Sequence, residues 1–314
     1  MEFKITFLGT SGTVPTTERN PSSIFVSFGG EKLLLDCGEG TQRQMMKAKT
    51  GFGIGSIFIT HMHTDHFIGL FGLIESMSLN GRERPLHIYC PEAEFLRLLF
   101  KSFGYDNLDF KIHVHDMKDG DSVRFRNFKV MAFETEHIVK SLGYAIIEDS
   151  KYRFSPEKAE NLGIPPGPLY KKLAEGESIV FRGRVIRPGD VTEGVVRGRK
   201  IVYTGDTRPV DRIAEVARNA DVLIHDSSFT SEIQDWAEIT KHSTAREAAE
   251  MARKAGVKLL ILTHISARYS KDVSALLNEA REVFENVEVA EDFFQISLNR
   301  NNLRQKEFYF EEQT

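Results

Sequence analysis

Residues 56–60, Ser-Ile-Phe-Ile-Thr, form an apolar run that stops at His61-Met62-His63-Thr64-Asp65-His66. Six residues that crowd three imidazoles and a carboxylate against such a run constrain the fold. The run must end as a strand whose tip stays open to polar groups from elsewhere, while its body sits in a core. Alternation along the extended tip turns His61 and His63 the same way, and a bend brings Asp65 and His66 round. Neutral imidazole and ionised carboxylate both suit zinc, so the segment alone serves two adjacent metals. A solvated polar loop fits poorly, because three of the chain's ten histidines fall in this one window.

The surrounding pattern supplies the frame. Residues 4–8, 23–28, 32–35 and 56–60 read as strands, with Gly29-Gly30 as a hairpin turn. After the histidine cluster, Ile68, Phe71, Leu73, Ile74 and Met77 recur at helical spacing, so the cluster joins a strand to a helix. Residues 86–90 are a further strand, Pro91 suits the first turn of a helix through about Phe103, and residues 123–133 return to strand. In the second half, strands at 200–204, 222–225 and 259–263 alternate with helical periods at 210–218, 245–255 and 273–284. Thr244-Ala245-Arg246-Glu247 is a capping box and Gly256 a C-terminal stop. Two sheet-and-helix halves of this kind predict one α/β domain, a four-layer αββα sandwich spanning residues 1–314.

Polar residues at the other strand ends extend the site. The strand at 200–204 runs through Gly205 to Asp206, residues 259–263 lead to His264, and residues 128–133 lead to His137. Loops at one edge of an α/β sheet are where such folds build sites. His61, His63, Asp65, His66, His137, Asp206 and His264 make seven ligands, one fewer than two closed four-coordinate zinc sites need. A shared Asp206 removes the shortfall. One metal then takes His61, His63, His137 and Asp206, and the other takes Asp65, His66, Asp206 and His264. Two such metals with water between them carry out hydrolysis, with Asp65 also able to act as base.

Composition excludes other classes. The net charge of −4 argues against coating nucleic acid through overall charge. No apolar run approaches membrane-spanning length and Met1-Glu2-Phe3-Lys4 leads straight into a strand, so a cytoplasmic protein without membrane partners is expected. Cys37 and Cys90 are isolated and read as reduced core residues. Residues 151–199 depart from core composition: basic residues outnumber acidic ones around a Gly/Pro-rich centre. Lys151, Arg153, Lys158, Lys171, Lys172, Arg182 and Arg184 would there offer phosphate contacts away from the metals, giving affinity and register without reading sequence.

The His-x-His-x-Asp-His pattern at residues 61–66 resembles the signature of the metallo-β-lactamase superfamily. More narrowly the chain resembles ribonuclease Z. The matching segments are residues 7–15 with Arg19-Asn20-Pro21-Ser22-Ser23, residues 35–44, the stretch Asn161-Leu162-Gly163-Ile164-Pro165-Pro166-Gly167-Pro168-Leu169-Tyr170, and Lys241-His242-Ser243-Thr244. The resemblance implies a zinc endoribonuclease that removes 3′ trailers from precursor transfer RNA, with two zinc ions per subunit or other divalent metals in their stead. It implies a homodimer in which residues 151–199 form an inserted, flexible arm that grips the transfer-RNA elbow.

His242 precedes a helix start, whose amides would favour a phosphate, and as an imidazolium it would stabilise developing charge or protonate the leaving oxygen. Asp226 is the group expected to orient it. The family's His-Glu-Ala-Thr block reads His225-Asp226-Ser227-Ser228 here, so the reach of the shorter acid is for the fold to decide. Thr17 stands where the family commonly has lysine, in a loop associated with sensing a CCA end. Other readings of the same metals are a small-substrate phosphodiesterase, lactonase or thioesterase, and a non-catalytic RNA-binding relative.

Overall fold

The computed structural model describes residues 2–299, apart from the side chain of Asp106, and the backbone of residues 303–306. By contacts the chain divides into two compact units, Met1–Ile146 with Lys200–Thr314, and Ile147–Arg199.

The larger unit is built on two sheets. The first has eight strands in the order Leu303–Lys306, Gln295–Leu298, Phe3–Gly9, Ser23–Phe28, Glu31–Leu35, Ser56–Phe58, Leu86–Cys90 and Ile112–Asp116. The second has seven, ordered Val287–Val289, Leu260–Thr263, Val222–Asp226, Lys200–Tyr203, Leu142–Glu148, Phe128–Glu134 and Ser122–Arg124. Period-two alternation buries both faces of the first sheet. Phe7, Leu33, Leu35 and Phe58 join a core with Phe128, Tyr144, Tyr203 and Ile261 of the second sheet, while Leu8, Leu34, Ile57 and Ile88 face a core with the helix Gly69–Leu79. Helix Ala245–Ala255 lies against the second sheet with Ala248, Ala249 and Ala252 buried, completing the αββα order.

Several expected elements shift. The 123–133 run breaks into a hairpin between Ser122–Arg124 and Phe128–Glu134, because Arg126-Asn127 forms the turn. Pro91 is not in a helix; the helix is Ala93–Ser102, and Pro91-Glu92 form the turn before it. The central strand Leu142–Glu148 escapes the reading by pattern, since six of its seven residues are buried and it carries no alternation.

The smaller unit begins at Ile147, upstream of Lys151. Two short helices, Pro156–Asn161 and Pro168–Ala174, and the hairpin of Ile179–Phe181 with Arg184–Ile186 enclose their own core of Ala159, Ile164, Leu173, Ile179, Ile186 and Val191. Arg199 closes the base, its Nε donating to Glu148 Oε2 at 2.7 Å with both side chains buried.

Candidate metal centre

Past the strand Ser56–Phe58, Ile59 N still donates to Tyr89 O at 2.8 Å, and then the Asp36 side chain takes Thr60 N, Oδ1 accepting at 2.7 Å. The chain then leaves the sheet, His61 and His63 extend from it, and the short helix Thr64–Phe67 carries Asp65 and His66 in one turn. That helix is pinned by Cys37 N donating to His66 O at 2.7 Å and by Gly69, where an added Cβ would lie 1.9 Å from Gly38 O. Only glycine permits so close a crossing.

His137, Asp206 and His264 arrive from strand ends of the second sheet, and two sets of donor atoms result. His61, His63, His137 and Asp206 form one, Asp65, His66, Asp206 and His264 the other, the ligand atoms of each lying within 4.8 Å of one another. Asp206 Oδ2 is the hub, 3.2 Å from His264 Nε2, 3.3 Å from His66 Nε2, 3.7 Å from His61 Nε2 and 4.0 Å from His137 Nε2.

The chemistry of this donor set fits metal ions. Nε2 of His61, His66 and His264, both oxygens of Asp65 and Oδ1 of Asp206 are buried without a hydrogen-bond partner among the described residues. Buried polar atoms left unpaired cost free energy unless something else binds them. Electrostatics agree. Burial pushes the His61 imidazole well below its ordinary value, toward the neutral ligand form. Against the opposing effect of burial, the charges of Asp206 and Asp36 hold His66 well above its ordinary value. Likewise the charges of His264 and His66 keep Asp206 well below the usual carboxylate range despite its burial. Excess negative charge at this spot retains cations, protons or metals.

The ring nitrogens that turn away from the hub are held in place. His66 Nδ1 donates to Asp36 Oδ2 at 2.8 Å, and the same carboxylate accepts from Tyr203 OH at 2.7 Å. His137 Nδ1 donates to Lys241 O at 3.0 Å, and His264 Nδ1 lies 2.9 Å from Ser228 Oγ. Such partners fix ring orientation and tautomer. Asp36 is the site residue that sequence reasoning passes over, although it follows the strand Glu31–Leu35 as Asp206 follows its own; the strand-end criterion, applied evenly, finds it.

His242 Nδ1 is 2.9 Å from Asp226 Oδ2, so the shorter acid reaches the imidazole. Asp226 in turn accepts from Thr207 N at 3.0 Å and Ser228 N at 3.1 Å. A third possible ligand set, Asp206, Asp226, His242 and His264, is better read as this orienting network, because Asp226 is already engaged by four donors. Burial presses the His242 pKa down, but the charge and hydrogen bond of Asp226, with Asp206 beyond, raise it to about 9. The expected phosphate site at the neighbouring helix start fails. Thr244 N donates to Glu247 Oε2, Ala245 N to Phe229 O, Arg246 N to Glu279 Oε1 and Glu247 N to Thr244 Oγ1, which leaves no first-turn amide open.

Asp65 opens on a cavity of about 1100 Å³ whose walls include Thr13, Thr17, Asn20, Gln42 and Arg43, so the loop holding Thr17 faces the same space as Asp65. In the other unit, Lys151, Arg153, Lys158, Lys171, Lys172, Arg182 and Arg184 are all exposed.

Two family models match in succession, the anti-Pycsar protein Apyc1 over residues 3–164 and the beta-lactamase superfamily domain over residues 176–265. Fold and paired ligand sets together define a hydrolase of the metallo-β-lactamase superfamily. Relatives that match along nearly the whole chain separate its branches. Ribonuclease Z of Archaeoglobus fulgidus is 65% identical over 301 residues, covering 95% of this chain and 98% of that protein. Ribonuclease Z of Methanosarcina acetivorans is 51% identical over 299 residues, covering 94% and 98%. Among solved structures, human tRNase Z, short form, is 29% identical with a TM-score of 0.67, covering 93% of this chain and 98% of that one. The chain belongs to the ribonuclease Z family.

Proposed function

We infer that the chain is a transfer-RNA 3′-processing endoribonuclease, cutting the trailer from a precursor so that the transfer RNA keeps a 3′ hydroxyl and the trailer a 5′ phosphate. The observation that carries this reading is the pair of ligand sets sharing Asp206, in a chain 65% identical to a ribonuclease Z.

Two zinc ions per subunit are assigned, one held by His61, His63, His137 and Asp206, the other by Asp65, His66, Asp206 and His264. What supports the assignment is the set of unpaired buried donor atoms and the neutral form that burial favours at His61. When bound, the metals supply Lewis-acid charge at the phosphate and lower the pKa of water in the site. Asp65, whose oxygens accept no hydrogen bond among the described residues, takes the proton of the attacking water. His242, kept protonated by Asp226, passes its proton to the departing 3′ oxygen and stabilises charge on the phosphate.

The exposed basic residues of the Ile147–Arg199 unit are assigned to the transfer-RNA backbone, where contacts give register without base recognition. A homodimer is assigned on the exposed apolar side chains Leu79, Phe95, Leu98 and Phe103, with Phe103 packed 4.7 Å from the Phe71 ring. Among the described residues no helix is long and apolar enough to cross a membrane, and the cytoplasm is the assigned compartment.

The test is cleavage-site mapping on precursors with and without CCA, run beside bis-p-nitrophenyl phosphate. A single cut at the trailer junction, lost in Asp65→Ala, is the expected result. Hydrolysis of the small ester with no cut in any precursor would overturn the reading.

A further inference from the structure

Outside both ligand sets, one carboxylate gathers several distant parts of the chain. Asp292 Oδ2 accepts from Asn20 N at 2.8 Å and from Gln44 Nε2 at 2.7 Å, and its Oδ1 accepts from Thr10 Oγ1 at 2.8 Å. Thr10 Oγ1 accepts in turn from Arg19 Nη1 at 2.8 Å, and the same Nη1 donates to Ala290 O at 2.5 Å. Thr10, Arg19 and Gln44 are at most 3% exposed. Asp292 is 272 positions from Asn20 and 248 from Gln44, so only the fold brings these groups together.

The contacts hold the cavity that Asp65 opens on. Thr13, Thr17 and Asn20 wall it from one segment, Gln42 and Arg43 from another. Gln44 belongs to the helix Thr41–Lys47, whose first turn carries Gln42 and Arg43. A single oxygen, Asp292 Oδ2, therefore ties both segments. A second stitch joins them directly, Asn20 Nδ2 donating to Glu39 O at 2.6 Å. Within the first segment a closed turn links Thr16 to Arg19, with Thr16 N donating to Arg19 O at 2.9 Å and Arg19 N to Thr16 Oγ1 at 3.0 Å. Residues 16–19 thus follow the anchored base as a unit.

We propose that Asp292 is a positioning residue for RNA binding: by fixing the spacing between residues 13–20 and 40–44, it keeps preformed the wall that receives the nucleotide flanking the scissile phosphate. The inference rests on the reading of the chain as a precursor-cleaving enzyme. Thr13, Thr17 and Arg43 are exposed on that wall and Gln42 is half-buried, a set of hydroxyls, an amide and one guanidinium that suits ribose, phosphate and a base edge. A wall already in place spares the bound RNA the entropy of ordering a loop. Its benefit falls on affinity, while the proton path through Asp65 and His242 uses other groups.

The electrostatics are consistent with this role. Burial raises the Asp292 carboxyl to about 6, and the bonds from Asn20 N and Thr10 with the Arg19 charge oppose that rise. A carboxylate placed where burial disfavours its charge adds little to stability by itself, and its use here is to accept three converging hydrogen bonds.

The experiment is steady-state cleavage of a trailer-bearing precursor by the zinc-loaded enzyme, in the wild type, Asp292→Ala and Asp292→Asn. The alanine variant should raise KM at least about tenfold, the scale of one hydrogen bond to a charged group, with kcat and bound metal retained. Asparagine should recover most of the affinity, since its Oδ1 can still accept from both Asn20 N and Gln44 Nε2. Should Asp292→Ala fail to fold, Gln44→Met, which frees one wall, decides: its KM should rise at least about threefold, the scale of one neutral hydrogen bond. An unchanged KM, or a kcat that falls with loss of metal, would overturn the proposal. A wild type that cuts no precursor would instead remove the transfer-RNA reading. The anchor is then judged by amide exchange over residues 13–20, which should speed in Asp292→Ala, and an unchanged exchange rate would overturn it.

Discussion

At the metal centre, Asp36, Asp65, Asp206 and Asp226 are at most 5% exposed, and the ion partners of each among the described residues are histidines. In the Ile147–Arg199 unit, apart from the buried Glu148–Arg199 pair, the charges are mostly exposed and mostly of the other sign, set on a small core of six buried apolar residues. The first region keeps its charge out of water, where each group depends on its neighbours and a removed partner leaves a costly orphan. The second keeps its charge in water, where each group acts nearly alone and is screened by salt. Chemistry at one phosphate needs the former; holding a large polyanion calls for the latter.

Substitutions test that contrast. Asp206→Ala, which removes the hub, should reduce precursor cleavage at least about 10³-fold, on the scale of lost preorganised electrostatics, and should empty both ligand sets by metal analysis. His242→Ala should retain metal and slow single-turnover cleavage by about 10²–10³-fold; a variant within a fewfold of wild type would remove His242 from the proton path. Asp36→Asn, which among the candidate ligands is bonded to the far nitrogen of His66, should weaken metal binding by about 10–100-fold in a chelator competition.

Neutralising the seven arm residues to glutamine should behave in the opposite manner. Bis-p-nitrophenyl phosphate hydrolysis should be unchanged, while precursor affinity falls and its log–log salt slope flattens by about 0.7–0.9 for each phosphate that the arm no longer neutralises. Equal loss on both substrates would mean that the two regions are not separable.

The smallest effect is a pH dependence. In metal-free protein the His242 pKa is raised from 6.5 to about 9. A raised folded-state value means that the imidazolium–Asp226 pair contributes fully below 6.5 and loses its contribution as pH rises through about 9. The stability gap between wild type and Asp226→Asn should therefore narrow across that window in urea melts. A gap that stays constant would break the assignment of the pair.

The candidate ligands are legible because each obeys a local rule, a polar side chain in the segment that follows an apolar strand. Asp36 obeys the same rule, but its place in the site shows only where Thr60 N, His66 and Tyr203 OH converge on it. The helix start after His242 shows the reverse error. Its capping box is visible in the sequence, but Glu279 at Arg246 N and Phe229 O at Ala245 N come from distant chain, and they close the amides that the local pattern left open.

By itself the sequence determined the candidate ligand residues, the two-sheet character of the chain and the basic stretch at 151–199, since strand period, capping and ligand type depend on neighbours along the chain. Only the tertiary structure decided that Asp206 is the hub of both ligand sets and that Asp226 is long enough to reach His242. Each depends on distances between strands far apart in sequence, set by how two sheets pack and register, which no local pattern encodes.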